Sequence, residues 1–386
     1  MTPFGKHLDR SMKHLASEAV EAALRDAEVH RDEVQVAFVG NSFAGLVTGQ
    51  ECIRGETVLF PLGFGTIPMH NVENACATGG NALHLAWLAV TSGMCDTALA
   101  LGVEKANHED RSRTFSAYMG GMDVEEMFAF GDGAGVDRTP FVDRQAALAR
   151  ELMDERGVTV EAMARVAARA LENGARNPMA HRRFGGTTET VLDARTVVEP
   201  ITTLMSSPVS DGAAAAIVTR LASGERPGPS DVRIRASQMA TRPPLDAEDG
   251  PTAATAAATA AYEAAGVGPG DLDVVEVHDA SVAYELRAWS ECGLCPVGDE
   301  MDWIESGRTE IGGALPVNPS GGLIARGHAV GASGIAQVYE LVHQLRGSAT
   351  GRQVEGARLA LAQIGGGVID WKTAASSVHV LEATSA

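Results

Sequence analysis

A cysteine and a distant histidine, each in a glycine-rich segment, are the residues of this chain best suited to nucleophilic catalysis. Cys76 lies in the segment 74–80, Asn-Ala-Cys-Ala-Thr-Gly-Gly, directly before an apolar run that predicts a helix. His328 lies in a second glycine-rich segment, residues 318–334. A thiol at the start of a helix sits in positive potential that favours its thiolate, and a nearby histidine would act as base or ion partner. The pair therefore predicts an enzyme with a nucleophilic cysteine.

Two similar series of helices and strands are predicted to position this pair. Each half has an alanine-rich helix, a β-rich run, a polar loop, a glycine-rich turn, an apolar helix and a further strand. Such alternation favours α/β layers, and two halves face to face would bring both glycine-rich turns to one cleft. The predicted elements are residues 15–26, 34–39, 82–91 and 97–103 in the first half, and 253–264, 272–277, 335–346 and 357–364 in the second.

A segment between the halves, about 114–203, has a different pattern. It predicts an amphipathic helix over 158–173, followed by a basic loop at 181–186. Long insertions that carry their own elements usually cover functional sites, so we expect an inserted loop or lid region. The stretch 220–230, which is rich in proline and glycine, predicts a boundary between an N-terminal half, 1–225, and a C-terminal half, 226–386.

Composition restricts the class of protein. In a chain of 386 residues, 45% hydrophobic residues predict a large buried core, and a net charge of −19 argues against nucleic acid or an anionic membrane as partner. The sequence shows neither a membrane span nor a signal peptide. Five cysteines, an odd number, fit a reducing compartment, so we expect a cytoplasmic protein. Cys292 and Cys295 lack a second pair of ligands, which favours ordinary packing over a metal site.

Four segments resemble the thiolase superfamily, and within it the sterol-carrier-protein type. They are residues 1–6, the cysteine segment with Gly-Val-Glu-Lys at 102–105, residues 177–215, and Val-His-Asp at 277–279 with the histidine segment. The resemblance implies the thiolase fold: two pseudo-repeated halves in five αβαβα layers with an inserted loop domain. It also implies a homodimer in lipid metabolism that uses a coenzyme A thioester as substrate and binds no permanent cofactor.

The resemblance also implies roles for individual residues. Cys76 corresponds to the nucleophile that takes the acyl group, and His328 to the base that deprotonates it. His278, oriented by Asp279, would help to polarise the thioester carbonyl, and the backbone N–H groups of Gly365 and Cys76 would bind an oxyanion. A structural histidine at 278 and a plain tight turn at 365 are the alternatives.

Two positions depart from the family pattern. Degradative and biosynthetic thiolases have a second cysteine just before the final glycine run, where this chain has Gln363. Sterol-carrier-type thiolases can instead have a cysteine after the His-Asp pair, where this chain has Ala280. Glutamine does not transfer protons at neutral pH. The second acid/base is therefore missing, or is replaced by His278, Ser281 or Tyr284.

The expected function is a thiolase-like, acyl-CoA-dependent acyltransferase with a Cys76 acyl-enzyme, which forms or cleaves a C–C bond or transfers the acyl group to another acceptor. The alternatives are a retro-aldolase (a lyase) on a hydroxyacyl-CoA with an OB-fold/zinc-ribbon partner, and a non-catalytic acyl-CoA-binding subunit. Arg182, Arg183 and Arg326 are candidates for the coenzyme A phosphates, with a solvated or structural role as the alternative. Family members open with a buried strand before residues 1–6. We therefore expect a start further upstream, with a first sheet position that is empty or filled by another segment as the alternative.

Overall fold

The computed structural model describes residues 1–125, 139–221, 228, 230–244 and 250–384, so the predicted boundary at 225/226 lies outside the described residues. The helices are α1 (Met12–Asp26), α2 (Ala44–Thr48), α3 (Arg54–Leu59), α4 (Thr78–Thr91), α5 (Arg111–Met119), α6 (Pro140–Arg156), α7 (Val160–Ala175), α8 (Thr188–Leu192), α9 (Ala253–Ala265), α10 (Val282–Glu291), α11 (Glu300–Glu305), α12 (Gly322–Arg326) and α13 (Ser333–Leu345). The strands are β1 (Val36–Gly40), β2 (Met69–Val72), β3 (Thr97–Glu104), β4 (Thr196–Val198), β5 (Ile201–Thr202), β6 (Gly212–Thr219), β7 (Val232–Thr241), β8 (Val274–Glu276), β9 (Leu359–Ile369) and β10 (Lys372–Ala383).

Each half contributes one four-stranded sheet. The first sheet has the order β2-β1-β3-β6, with β1 parallel to β2 and β3, and β6 antiparallel to β3. The second has the order β7-β10-β9-β8, with β8 parallel to β9 and β10 antiparallel to both of its neighbours. At the β6 edge of the first sheet, Thr2 N–H donates to the Ala213 carbonyl at 2.8 Å, and Gly5 pairs with Asp211.

Alternation along the strands produces the layers. In β1, Ala37 and Val39 pack outward against α1 and α3, whereas Val36 and Phe38 pack inward on the cluster that contains α4 and α13. The strand β9 alternates in the same way between the outer helices α9 and α10 and the central pair. Because successive side chains of a strand point to opposite faces, each sheet joins an outer helix layer to the shared central one. The five-layer αβαβα prediction is confirmed.

The central helices begin in close mutual contact. A Cβ on Gly334 would lie 2.4 Å from the Gly80 nitrogen, and one on Gly102 would lie 2.4 Å from the Gly331 carbonyl oxygen. Only glycine permits these approaches. The helix predicted over 82–91 therefore starts earlier, at Thr78, since the glycines that usually weaken a helix here serve its packing. The first turns of α4 and α13 lie side by side.

The segment between the halves packs mainly on the second one. The amphipathic helix predicted over 158–173 is α7, and its apolar face shares a core cluster with α6, α10 and Trp289. The cluster also holds Cys292 and Cys295, both buried. In the described part of the chain, no helix is long and apolar enough to cross a membrane.

Candidate active site

The Cys76 segment is a tight turn between β2 and α4. Residues Ala75–Ala77 form a single 3₁₀ turn, and Ala75 has a φ of +46°, a strained value for a residue with a side chain. Two hydrogen bonds hold it: Ala75 N–H donates to Glu73 Oε1 at 2.6 Å, and Asn74 N–H donates to Thr78 Oγ1 at 2.8 Å. The turn thus presents the half-buried thiol at the start of the helix.

The glycine run of β9 packs directly against this turn. A Cβ on Gly366 would lie 2.2 Å from the Asn74 carbonyl oxygen and 2.4 Å from the Ala77 nitrogen, both of them backbone atoms.

We expect Gly366→Ala to lower the free energy of unfolding by about 1–3 kcal/mol or more, because the backbone of the Cys76 turn cannot move away from the new methyl group without losing its hydrogen bonds. Chemical denaturation measures this. Gly270→Ala, whose Cβ would meet nothing within 4 Å, is the control. Equal stability of the two variants would contradict the prediction.

The structure places His328 against Cys76. His328 Nε2 lies 3.1 Å from Cys76 Sγ, and its Nδ1 lies 2.8 Å from Ser333 Oγ. The Ser333 hydroxyl donates its single proton to the Ala329 carbonyl at 3.0 Å, so it accepts from His328 Nδ1–H. The proton of the neutral ring is thereby fixed on Nδ1, and the lone pair on Nε2 faces the thiol. No sequence motif marks Ser333 as part of the site, although it lies only five residues after the histidine.

The resting pair is neutral. Burial, reinforced by Glu104 and Glu73, raises the pKa of the Cys76 thiol to about 12. Burial, with smaller effects of His278 and Arg326, holds the pKa of His328 well below its usual value of 6.5. The expectation that the helix start favours a thiolate is therefore wrong for the resting site, because loss of water outweighs the positive potential.

His278 lies beside this pair, but without the predicted support. Its ring centroid is 5.9 Å from that of His328, and burial lowers its pKa to about 4. Its Nδ1 is buried and has no hydrogen-bond partner among the residues that the structure describes. The Asp279 carboxylate does not orient it: it accepts from Leu323 N–H at 2.6 Å and from Ile324 N–H. These amides are at the start of α12, so Asp279 acts as a helix cap.

The proposed replacements for the second cysteine differ in position. Tyr284 lines the cavity beside Cys76, with its ring centroid 5.5 Å from that of His278. Ser281 is fully buried and does not line the cavity, so the structure does not place it as an acid/base there. Gln363 does not face the cavity either, because its Oε1 accepts from His278 N–H at 3.0 Å and its amide donates to Ser376 Oγ. It positions His278.

Two of the three arginines considered for the coenzyme A phosphates are bound by other groups, and the third lies outside the cavity. The Arg182 guanidinium donates to three backbone carbonyls, at 2.8 to 2.9 Å, which holds the loop around it. Arg326 is buried and paired with Glu276 at 3.1 Å. Arg183 is exposed and does not line the cavity. A basic loop in sequence does not reveal which cations are already bound by carbonyls or carboxylates.

A buried carboxylate, Glu104 at the end of β3, ties the cysteine side of the site to the histidine loop. Its Oε1 accepts from Phe43 N–H at 3.1 Å, and its Oε2 accepts from Gly331 N–H at 2.9 Å. Burial raises its pKa to about 6, although these amide hydrogen bonds oppose the rise. The residue therefore positions the loop of Phe43 relative to the segment of His328.

The thiol of Cys76 and the two histidine rings beside it open onto a cavity of about 210 Å³. Its lining includes Cys76, His278, His328 and Gly365, together with the inserted segment's Phe141. Two further groups of lining residues were not predictable from the sequence, because no motif marks either one. They are the cations Arg111 and Arg195, both exposed, and the aromatic residues Phe43, Phe115, Tyr118 and Phe141. Among the described residues, no three or more His, Cys, Asp or Glu side chains are grouped to hold a metal ion.

Comparison with known proteins identifies the family to which this chain belongs. The family model "Thiolase, N-terminal domain" matches residues 1–222, and "Thiolase C-terminal domain-like" matches residues 238–382. An acetyl-CoA acetyltransferase of Methanothermobacter thermautotrophicus is 37% identical over 373 residues, which cover 95% of this chain and 94% of that protein. Sterol carrier protein 2 of Bos taurus is 34% identical, over 94% of this chain and 68% of its own length.

Two further matches name assemblies. The "Benzoylsuccinyl-CoA thiolase subunit BbsB" of Thauera aromatica is 33% identical, over 95% of this chain and 92% of that protein. A solved structure described as "Ltp2-ChsH2(DUF35) aldolase" superposes with a TM-score of 0.79 at 25% identity, and covers 99% of this chain and 96% of that one. With both family models matched and full-length relatives above 30% identity, the chain belongs to the thiolase family.

Proposed function

We propose that this protein is an acyl-CoA-dependent acyltransferase that works through an acyl-enzyme on Cys76. Cys76 Sγ attacks the thioester carbonyl carbon while its proton passes to His328 Nε2. The bond from that carbon to the coenzyme A sulfur then breaks, and the leaving thiolate takes the proton back from His328. The products are a Cys76 thioester and free coenzyme A, so the step exchanges one thioester for another.

One observation carries this proposal: the 3.1 Å contact between Cys76 Sγ and a histidine nitrogen whose lone pair faces it. The contact is within the reach required for proton transfer. A structural cysteine in a core would not need a histidine whose tautomer is fixed by Ser333.

The carbonyl oxygen develops negative charge during the attack and needs donors. We assign this role to the backbone at Gly365 and Cys76, with His278 beside them at the cavity wall. In this scheme the half 1–225 supplies the nucleophile, and the half 226–386 supplies both histidines and Gly365. Arg111 and Arg195 replace Arg182 and Arg183 as the groups that we propose for the coenzyme A phosphates, since both are exposed cations at the cavity.

The second stage transfers the acyl group to an acceptor, with C–C bond formation or cleavage as one form of it. None of the described residues that line the cavity is a carboxylate, and Gln363 is engaged in positioning. The proton acceptors left are the two neutral histidines. We propose that coenzyme A enters and leaves as substrate and that no cofactor stays bound. Because Cys76 must remain a free thiol, we place the reaction in the reducing cytoplasm.

The test is the mass of the intact protein after incubation with a panel of acyl-CoA thioesters. We expect one acyl mass per chain, located on Cys76 by peptide mapping. Cys52, an exposed thiol, serves as the internal control and should stay unmodified. Acylation spread over both cysteines would show chemical reactivity rather than catalysis and would contradict the proposal.

A retro-aldolase on a hydroxyacyl-CoA is the second candidate. The structural likeness to a protein described as an aldolase favours it, as does Tyr284, a phenol at the cavity that can donate a proton. This reaction needs no covalent acyl-enzyme, so C–C cleavage would continue without the thiol. The two candidates therefore differ in their dependence on Cys76.

We also propose a homodimer, in which the edge of the first sheet is covered by a second copy. Among the described residues β2 pairs only with β1, and α3 packs beside it, followed by Phe60, which is 73% exposed. An open edge next to an exposed aromatic ring is a natural interface. Light scattering should give twice the chain mass for the wild type and a lower mass for Phe60→Glu. A monomeric wild type would refute the proposed homodimer.

A partner protein of the OB-fold/zinc-ribbon kind remains part of the proposal, since two of the matched proteins are named as parts of assemblies.

A further inference from the structure

A row of aromatic rings from the N-terminal half of the chain lines one wall of the cavity. The ring centroids of Phe43 and Tyr118 are 4.6 Å apart, and those of Tyr118 and Phe141 are 6.4 Å apart with planes at 80°. Phe43 is anchored by its backbone hydrogen bond to Glu104, and Tyr118 packs with Cys76 on the same small apolar cluster. These separations lie in the range of favourable ring contacts.

A second row of planar rings comes from the C-terminal half. His328, His278 and Tyr284 follow one another with centroid separations of 5.9 and 5.5 Å and planes near 80°. His328 touches Cys76 through Nε2, so both rows reach the thiol that would carry the acyl group. An acyl group on Cys76 would therefore lie between these two rows of planar rings.

The aromatic character of the cavity is not a reflection of composition. The whole chain has only 10 Phe and 4 Tyr in 386 residues. Five of these 14 line this one cavity, and they come from four separate parts of the sequence: Phe43, Phe115, Tyr118, Phe141 and Tyr284. Valine, alanine and glycine make up much of the remaining wall. Such a lining favours an apolar, flat occupant over a polar or charged one.

The size of the cavity restricts that occupant further. Its volume is about 210 Å³. A dry apolar cavity of about 150 Å³ is known to hold benzene. One six-membered ring with a short chain thus fits the space, whereas an acetyl group would leave most of the aromatic wall without contact.

We propose that the acyl group carried by Cys76 contains an aromatic ring, so that aryl-substituted acyl-CoA thioesters are the preferred acyl donors. This inference rests on the proposed function and names its substrate class. The ring would contact the faces and edges of Phe43, Tyr118 and Phe141, while the thioester carbonyl stays beside His278 and Gly365.

The test compares second-order rates of Cys76 acylation by phenylacetyl-, hexanoyl- and acetyl-CoA, measured by intact mass. We expect phenylacetyl-CoA to react at least about tenfold faster than hexanoyl-CoA, which is similar in size but lacks ring contacts. If hexanoyl- or acetyl-CoA acylates Cys76 as fast or faster, the inference on the ring is wrong and the acyltransferase stands. If no thioester acylates Cys76, the proposed function fails, and this inference with it.

A pair of variants tests the residues. Phe141→Leu keeps an apolar side chain but removes a ring, so the ratio of phenylacetyl to hexanoyl rates should fall about fivefold. Phe184→Leu is the matched control, because Phe184 is 49% exposed and does not line the cavity, and it should keep the wild-type ratio. Phe115→Leu provides a second variant if Phe141→Leu does not fold. An unchanged ratio in the folded variants would overturn the inference.

Discussion

Replacing Cys76 by alanine is expected to abolish the acyl-enzyme and to lower acyl transfer by roughly 10⁴-fold or more. The reason is that none of the other cysteines lines the cavity, so no second thiol can take the acyl group. Intact mass should show no acyl addition in the variant, and a coupled assay of coenzyme A release should show the loss of rate.

The control for this variant is Cys52→Ala, which removes an exposed thiol and should keep the full rate. Thermal unfolding of both variants shows whether the fold is kept. One outcome would reverse the preferred mechanism: C–C cleavage of a hydroxyacyl-CoA at the wild-type rate in Cys76→Ala. That result would identify the protein as a lyase of the retro-aldolase kind.

Replacing His328 by asparagine is expected to slow Cys76 acylation by about 10²–10⁴-fold and to change its pH dependence. Burial holds the pKa of His328 well below 6.5, so in the wild type the ring is already a free base at pH 7. The wild-type rate should therefore be flat from pH 7 to 9. In the variant only the thiolate reacts, and its fraction rises about tenfold per pH unit below a pKa of about 12.

Single-turnover acylation, followed by mass at several pH values, measures both effects. His343→Asn is the matched control, because that histidine lies in the last turn of α13, outside the cavity. A wild-type profile with a step between pH 7 and 8, combined with a small effect of His328→Asn, would show instead that the thiol is ionised before substrate binds.

Much of the fold was predictable because it depends on local patterns. The continuous apolar runs of β1 and β9 and alanine-rich helices such as α9 are visible in one sequence, and the repeated order of elements predicted two matching halves. The insertion was also recognisable from the amphipathic pattern of α7. The start of α4 was missed by four residues, because its glycines are explained only by contact with Gly331 and Gly334.

The site was predictable where a motif carries it, and not elsewhere. Cys76 and His328 lie in motifs, and the structure brings them together. The roles of Arg182 and Asp279 could not be decided from the sequence, because distant segments determine which carbonyls or amides a buried polar group meets. The thiolate expectation considered the helix start without the burial that opposes it. The aromatic wall has no motif, because its rings come from α5, α6, α10 and the loop of Phe43.

The neutral state of the Cys76–His328 pair has a consequence for damage by oxidants. Peroxides and alkylating reagents react with thiolates, so a thiol whose pKa is raised to about 12 is attacked slowly. A thioester seated against Cys76 differs, since His328 accepts the proton as the new bond forms. The exposed Cys52 would be oxidised well before the nucleophile. Burial thus protects the enzyme between turnovers while leaving it reactive toward a bound substrate.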